Sequence, residues 1–204
     1  MRARMGIVGA RLQCELREVI LRDKPAEMIA ISPKGTVPVL ELPDGTVIDE
    51  SLDIMLWALE RDDPEFWLQP ESGSADSALE LVQRTELEFK PHLDRYKYPN
   101  RYPEENAAEQ RTLATRFIRL LEDRLESTPN LFGVRACIAD IAIFPFVRQF
   151  ANTDRDWFDD LPYRRTQNWL TTLTDSTLFA TSMQKYNQWQ TATEGVQFPN
   201  GSRP

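Results

Sequence analysis

Reactive side chains are scarce in this sequence of 204 residues, which contains one histidine and two cysteines. Cys14 and Cys137 lie far apart and form neither a CxxC pair nor a metal-ligand cluster, so we expect free thiols and no metal site. His92 directly follows Lys90-Pro91, and nothing nearby suggests a catalytic triad. We therefore expect an exposed or interfacial histidine rather than a general base.

Long apolar runs are also missing from the sequence. No segment approaches the roughly 20 apolar residues that a membrane-spanning helix requires, and the N-terminal Met1-Arg2-Ala3-Arg4 lacks a secretory hydrophobic stretch. We therefore expect a cytoplasmic protein that does not interact with membranes. Asn200-Gly201-Ser202 matches the glycosylation pattern, but without an export signal we do not expect it to be used.

Positive charge is in deficit, with 24 Lys and Arg against 32 Asp and Glu and a formal net charge of -8. Nucleic-acid affinity depends mainly on clustered Lys and Arg, so nucleic acid is not an expected partner. Apolar residues make up 41% and charged residues 27% of the chain, which is typical of soluble domains. The composition therefore predicts a globular protein, and the length fits two compact domains better than one.

The first 63 residues mix helix and strand signals. The helix expected after the hairpin begins with Ser51 as its cap and carries an apolar stripe of Leu52, Met55, Leu56 and Leu59. The expected elements, in order, are a helix over 2–10, an extended segment over 14–21, a short helix over 25–31, hairpin strands over 37–42 and 46–49, and a helix over 51–61.

Residues 61–74 are rich in charge, proline, glycine and serine, and predict the domain boundary. The sequence thus predicts an α/β domain over 1–63 and an all-helical domain over 74–190. The almost wholly apolar helix expected over 138–150 implies burial inside a helical bundle. The other expected helices cover 75–93, a long segment opening at Pro103, 162–173 and 176–183, and the chain from about 191 is expected to be loose.

Two motifs in the first half carry a family resemblance. Lys34-Gly35-Thr36-Val37-Pro38-Val39-Leu40 looks like a segment leading to a cis-proline, and Ile48-Asp49-Glu50-Ser51-Leu52-Asp53-Ile54 looks like a Glu-Ser helix start. With the element order, they resemble the glutathione transferase superfamily. Together with Leu21-Arg22-Asp23-Lys24-Pro25 they are most similar to its omega-like and glutaredoxin-like branches, which typically use a cysteine for thiol transfer.

The second half adds Ile138-Ala139-Asp140-Ile141-Ala142, which resembles the family's buried-helix motif. Cys137 stands where the family usually has Ser or Thr, and because a thiol is a weak acceptor, Asp140 is expected to carry more of the capping. The resemblance implies a thioredoxin-like domain followed by a helical bundle. It also implies glutathione as co-substrate, a small electrophile or mixed disulfide as second substrate, and a possible homodimer.

The resemblance implies roles for five residues in glutathione binding. The helix start at Ser51 would hold the γ-glutamyl carboxylate, and Glu50 would accept from its amine. Val37, preceding a cis Pro38, would offer its backbone to the cysteinyl part, and Lys24 would attract the glycine carboxylate. The alternatives are an ordinary helix cap, a trans proline on an edge strand and a solvated lysine.

In the resembled family a strand precedes the first helix, and the catalytic Cys, Ser or Tyr sits between them. Here the helix begins at residue 1, so no catalytic residue is assigned, and Cys14 is not expected to replace it. A misplaced start, a non-catalytic binding or interaction module and altered chemistry all remain open. We expect a sheet without its central strand, a poorly paired 14–21 segment and an intact hairpin. We also expect negligible transfer activity that an upstream extension would restore.

Overall fold

The computed structural model describes residues 1–200, so the Asn200-Gly201-Ser202 pattern lies partly outside the described residues. The chain forms two compact units. The first contains Met1–Glu65 and residues 176–200, and the second contains Phe66–Asp175. Residues 176–190, which the sequence analysis grouped with the helical half, thus lie with the first unit.

The elements follow in chain order. Residues 1–65 contain α1 (Arg2–Gly9), β1 (Cys14–Leu16), α2 (Ala26–Ile31), β2 (Leu40–Glu41), β3 (Val47–Ile48) and α3 (Ser51–Leu59). The second unit contains α4 (Ala75–Arg84), a π-type segment (Thr85–Phe89), α5 (Lys90–Lys97), a 3-10 turn (Pro99–Arg101), α6 (Ala107–Arg124), α7 (Ile138–Ala151), α8 (Arg155–Asp160) and α9 (Arg164–Thr174). The first unit then continues with α10 (Thr177–Ser182) and β4 (Val196–Phe198).

Helices α1 and α3 pack closely in the first unit. Met5 of α1 and Met55 of α3 are completely buried. Gly6 makes the approach possible, because a Cβ atom built on it would lie 2.7 Å from the Met55 Cα. The buried face of α3 agrees with the predicted stripe at Met55 and Leu59 and differs from it elsewhere. Leu52 and Leu56 are half-buried, and Ile54 and Ala58 are buried in their place.

The predicted hairpin is confirmed, with β2 and β3 antiparallel and Leu40 opposite Ile48. The expectation for 14–21 was only partly right, because its first three residues form β1 and pair antiparallel with β4. The expectation that the chain from about 191 is loose was wrong for Val196–Phe198, which form β4, while residues 201–204 lie outside the described residues. Phe198 of β4 is 1% exposed, and burial of this large apolar side chain stabilises the segment. Residues 1–200 thus contain two separate two-stranded sheets and no four-stranded one.

The second unit is helical, as predicted, with two differences at helix boundaries. The expected helix over 75–93 continues to Lys97 and changes to π-type bonding just before Pro91. Proline has no N–H to donate to the carbonyl four residues earlier, which accounts for the change. The helix expected from Pro103 begins instead at Ala107, because the Asn106 side chain accepts from the amides of the first turn.

Most of helix α7 (Ile138–Ala151) is buried, as its apolar sequence predicted, and only Phe146, Arg148 and Gln149 are half-buried. The predicted role of Asp140 is confirmed, since its Oδ2 accepts from the Cys137 N–H at 2.9 Å. Its Oδ1 accepts from the Leu131 N–H and from the Trp169 Nε1–H, each at 2.8 Å. No helix within residues 1–200 has both the length and the apolar character needed to cross a bilayer.

Candidate functional site

The five predicted site residues all belong to the first unit. Glu50 and Ser51 form the start of α3, while Val37 and Pro38 lie on the approach to β2. Lys24 precedes α2 and reaches the same loop, because its Nζ would lie 3.5 Å from a Cβ atom built on Gly35. The loop before β2 is therefore next to Lys24.

The Val37–Pro38 peptide bond is cis, as the sequence predicted. Val37 is 46% exposed. Within residues 1–200, its backbone N–H and C=O form no hydrogen bond. An exposed stretch of unpaired backbone is the kind of partner that an extended peptide recognises by strand-like pairing.

The prediction that Ser51 caps α3 was wrong, because Glu50 is the N-cap residue. Glu50 has extended backbone angles (φ -109°, ψ 134°), and its carbonyl accepts the first helical bond from the Ile54 N–H at 3.0 Å. Among the described residues, no side chain accepts from the amides of Ser51, Leu52 or Asp53. Three N–H groups at a helix N-terminus attract an anion, although the carboxylate of Asp53 in this turn opposes it.

Lys34 also contacts the start of α3, and it was not among the predicted site residues. Its Nζ forms an ion pair with Glu50 Oε1 and lies 4.0 Å from Asp49 Oδ2. The hydrogen bond to Glu50 raises the pKa of Lys34 above its usual value, and the charge of Asp49 adds to this effect. No local sequence pattern indicates this contact, because 16 residues separate the two partners.

Lys24 differs from Lys34 in having no partner. It is exposed, and within the described part of the chain it forms neither an ion pair nor a hydrogen bond. Its ammonium group is therefore available to an anionic ligand group beside Gly35, whose φ of +62° suits a glycine.

Both cysteines are free thiols, as expected. Cys14, half-buried on β1, has its pKa raised by burial, an effect that the charge of Arg4 partly offsets. Burial and the Asp140 carboxyl raise the pKa of Cys137 to about 12. Neither thiol has the lowered pKa of a reactive cysteine.

The single histidine lies in the second unit, away from the five predicted site residues in sequence. His92 is half-buried, and its Nδ1 lies 2.6 Å from Gln110 Oε1 within the second unit. No group of three or more His, Cys, Asp or Glu residues in positions 1–200 could hold a metal ion.

Comparison with known families decides the identity of the fold. The family model described as "Glutathione S-transferase, N-terminal domain" matches residues 1–66, and "Glutathione S-transferase, C-terminal domain" matches residues 104–172. The chain belongs to the glutathione S-transferase superfamily. It therefore has the predicted thioredoxin-like N-terminal domain and helical C-terminal domain. No curated protein sequence is significantly similar to it.

Solved structures of this superfamily share the fold at low sequence identity. Poplar glutathione transferase F1 has 15% identity and a TM-score of 0.74, over 89% of this chain and 90% of that one. Gtt2 from Saccharomyces cerevisiae has 21% identity and a TM-score of 0.66, over 89% and 94%. A glutathione transferase family member from Pseudomonas fluorescens, solved with two glutathione bound, has 16% identity and a TM-score of 0.73, over 89% and 86%.

Proposed function

We propose that the first unit binds glutathione and that the protein is a glutathione transferase acting by thiol transfer or by conjugation. The observation that carries this proposal is the unpaired backbone of Val37 in the same unit as the uncapped amides of α3. A superfamily relative with glutathione bound supports the choice of ligand. The second substrate would be a small electrophile or a mixed disulfide.

In this proposal each part of glutathione would have a partner of matching chemistry. The γ-glutamyl carboxylate would meet the free amides at Ser51, where the helix also presents partial positive charge. The γ-glutamyl ammonium would bind the Glu50 carboxylate, and the cysteinyl backbone would pair with Val37, whose position Pro38 fixes. The glycine carboxylate would meet Lys24.

The proposed reactions begin from the deprotonated glutathione sulfur. In thiol transfer the sulfur attacks a mixed disulfide, forming a new S–S bond as the old one breaks and the other thiolate leaves. In conjugation it attacks the carbon of an aryl halide, forming a C–S bond as halide leaves. The role of this chain is to position the tripeptide, and no described residue is assigned to activate its sulfur.

A second candidate is a glutathione-binding or interaction module without catalysis. The raised pKa values of Cys14 and Cys137 favour it, because burial disfavours the thiolate form of both side chains. We also propose a cytoplasmic homodimer for either candidate, and light scattering on the purified protein measures the assembly state.

Two substitutions at Ser51 test the binding site. Ser51→Pro removes the first amide of α3 but keeps the helix, because proline suits the first helical position and Glu50 already has the extended angles that a following proline requires. Ser51→Ala removes only the hydroxyl. By calorimetry we expect Ser51→Pro to weaken glutathione binding about 10-fold, the loss of one charge-assisted hydrogen bond, and Ser51→Ala to weaken it less. Equal affinities for the two variants would argue against binding through the amides.

Activity assays on the same preparations separate the two candidate functions. Glutathione turnover with a small mixed disulfide and with an aryl halide measures thiol transfer and conjugation. Turnover that falls in Ser51→Pro together with affinity supports the enzyme. Binding without turnover in either assay supports the module.

A further inference from the structure

Lys34 forms an ion pair with Glu50. The Glu50 carboxylate is also the group that the proposed site assigns to the γ-glutamyl ammonium of the ligand. Lys34 lies in the loop before β2, and Glu50 is the N-cap residue of α3. Their side chains are 44% and 61% exposed, so the pair is accessible to solvent and to a ligand. Asp49, held by the Ser32 hydroxyl at 3.5 Å, is a second acceptor near Lys34.

We propose that Lys34 and Glu50 together form a two-charge receptor for a zwitterionic α-amino acid group, and that this receptor selects ligands with both charges. The inference rests on the proposed glutathione site and assigns Lys34 a specificity role within it. On binding, the ligand ammonium replaces Lys34 on Glu50, and Lys34 turns to the α-carboxylate. One internal ion pair is exchanged for two pairs with the ligand.

The exchange depends on the flexibility of Lys34. Its four-carbon stem lets the ammonium group move between neighbouring acceptors without a change in the backbone. The α-carboxylate at the start of α3 would lie beside Glu50, because the free amides of Ser51, Leu52 and Asp53 follow directly in sequence. Lys34 would therefore contact the ligand's α-carboxylate close to the position in which it now contacts Glu50.

A ligand with one charge cannot complete this exchange. Without an α-carboxylate, the ligand ammonium must compete with Lys34 for Glu50. Without an α-ammonium, Lys34 can bind the ligand only by leaving Glu50 unpaired. Because the pair is exposed, each contact is worth little, and we expect a selectivity factor of about fivefold.

The test compares glutathione with 4-aminobutyryl-cysteinyl-glycine, which lacks only the α-carboxylate. Calorimetry gives the two dissociation constants for the wild-type chain and for Lys34→Met. The quantity to compare is the ratio of the two dissociation constants, because loss of the Lys34–Glu50 ion pair also changes both absolute affinities. We expect the preference for glutathione to fall about fivefold in Lys34→Met and to return in Lys34→Arg, which restores the positive charge.

Lys24→Met is the matched control. It removes an exposed lysine assigned to the glycine carboxylate, which both ligands share, so affinity should fall equally for both and their ratio should not change. An unchanged ratio in Lys34→Met would overturn the receptor and leave the glutathione site intact. Failure of the wild-type chain to bind glutathione would overturn the proposed function and the receptor with it.

Discussion

Asp140 shows how one buried side chain fixes the start of the central helix α7. Its carboxyl accepts hydrogen bonds from Cys137, Leu131 and Trp169, and burial raises its pKa against the effect of these bonds. The Cys137 sulfur faces the Asp140 N–H across the same turn. Sulfur is a poor acceptor, so this second half of the capping arrangement is weak.

The hydrogen bond from the Asp140 N–H to the side chain at position 137 can be strengthened by substitution. We expect Cys137→Ser to stabilise the protein by about 1 kcal/mol, because a hydroxyl oxygen accepts from the Asp140 N–H better than a thiol does. That gain corresponds to a rise of about 2–4 °C in melting temperature for a chain of this size. Cys137→Ala, which has no acceptor, is the control and should melt below Cys137→Ser. The reverse order would show that the buried hydroxyl costs more than it contributes.

Residue roles were predictable where a local motif carries them. The capping by Asp140 and the cis bond at Val37–Pro38 follow from residues adjacent in sequence, and both were confirmed. The contact of Lys34 with Glu50 depends on how a loop and a helix start meet in space. Composition and periodicity contain no information on such a contact.

At the scale of elements, the α1–α3 pair shows why a helix face can be predicted only approximately. The stripe predicted for α3 follows from ideal helical spacing, whereas the observed face includes Ile54 and Ala58. Gly6 of α1 allows the Met55 backbone to come closer than a larger residue would allow. The partner surface, and not the periodicity alone, selects the residues that are buried.

Replacing Gly6 with alanine tests this close approach. In an ordinary helix, Gly→Ala is stabilising by about 0.5–1 kcal/mol. Here the new Cβ atom would lie 2.7 Å from the Met55 Cα, a backbone atom that cannot move by a rotamer change. We therefore expect the sign to reverse, with a loss of about 1–3 kcal/mol from overpacking, measured by thermal unfolding. An increase in melting temperature would mean that α1 and α3 can separate without cost.

At the scale of the whole molecule, the chain returns to its first unit after completing the second. Strand β4 pairs with β1, and the side chain of Arg4 lies near the rings of Tyr186 and Phe198. The sequence could not predict this return, because β4 has only three residues and its partner is about 180 residues earlier. Short strands without a local hairpin partner carry almost no sequence signal.

We predict that Phe198 anchors the C-terminal segment to the first unit. Phe198→Ala should destabilise that unit by about 3–5 kcal/mol, because the side chain is 1% exposed and its removal leaves a cavity. Val196, two residues earlier in β4 and 43% exposed, provides the matched control, since Val196→Ala removes a smaller and only partly buried side chain and should cost less stability.

Hydrogen exchange followed by mass spectrometry measures the effect separately in each unit. In Phe198→Ala we expect faster exchange at the amides of β1 and β4, since their pairing depends on the anchor, and unchanged exchange in α6 and α7, which belong to the second unit. Faster exchange throughout the chain would mean that the two units unfold together. Unchanged exchange in β1 would mean that this strand is ordered by its other contacts. Pairing with β4 would then contribute nothing to the stability of β1.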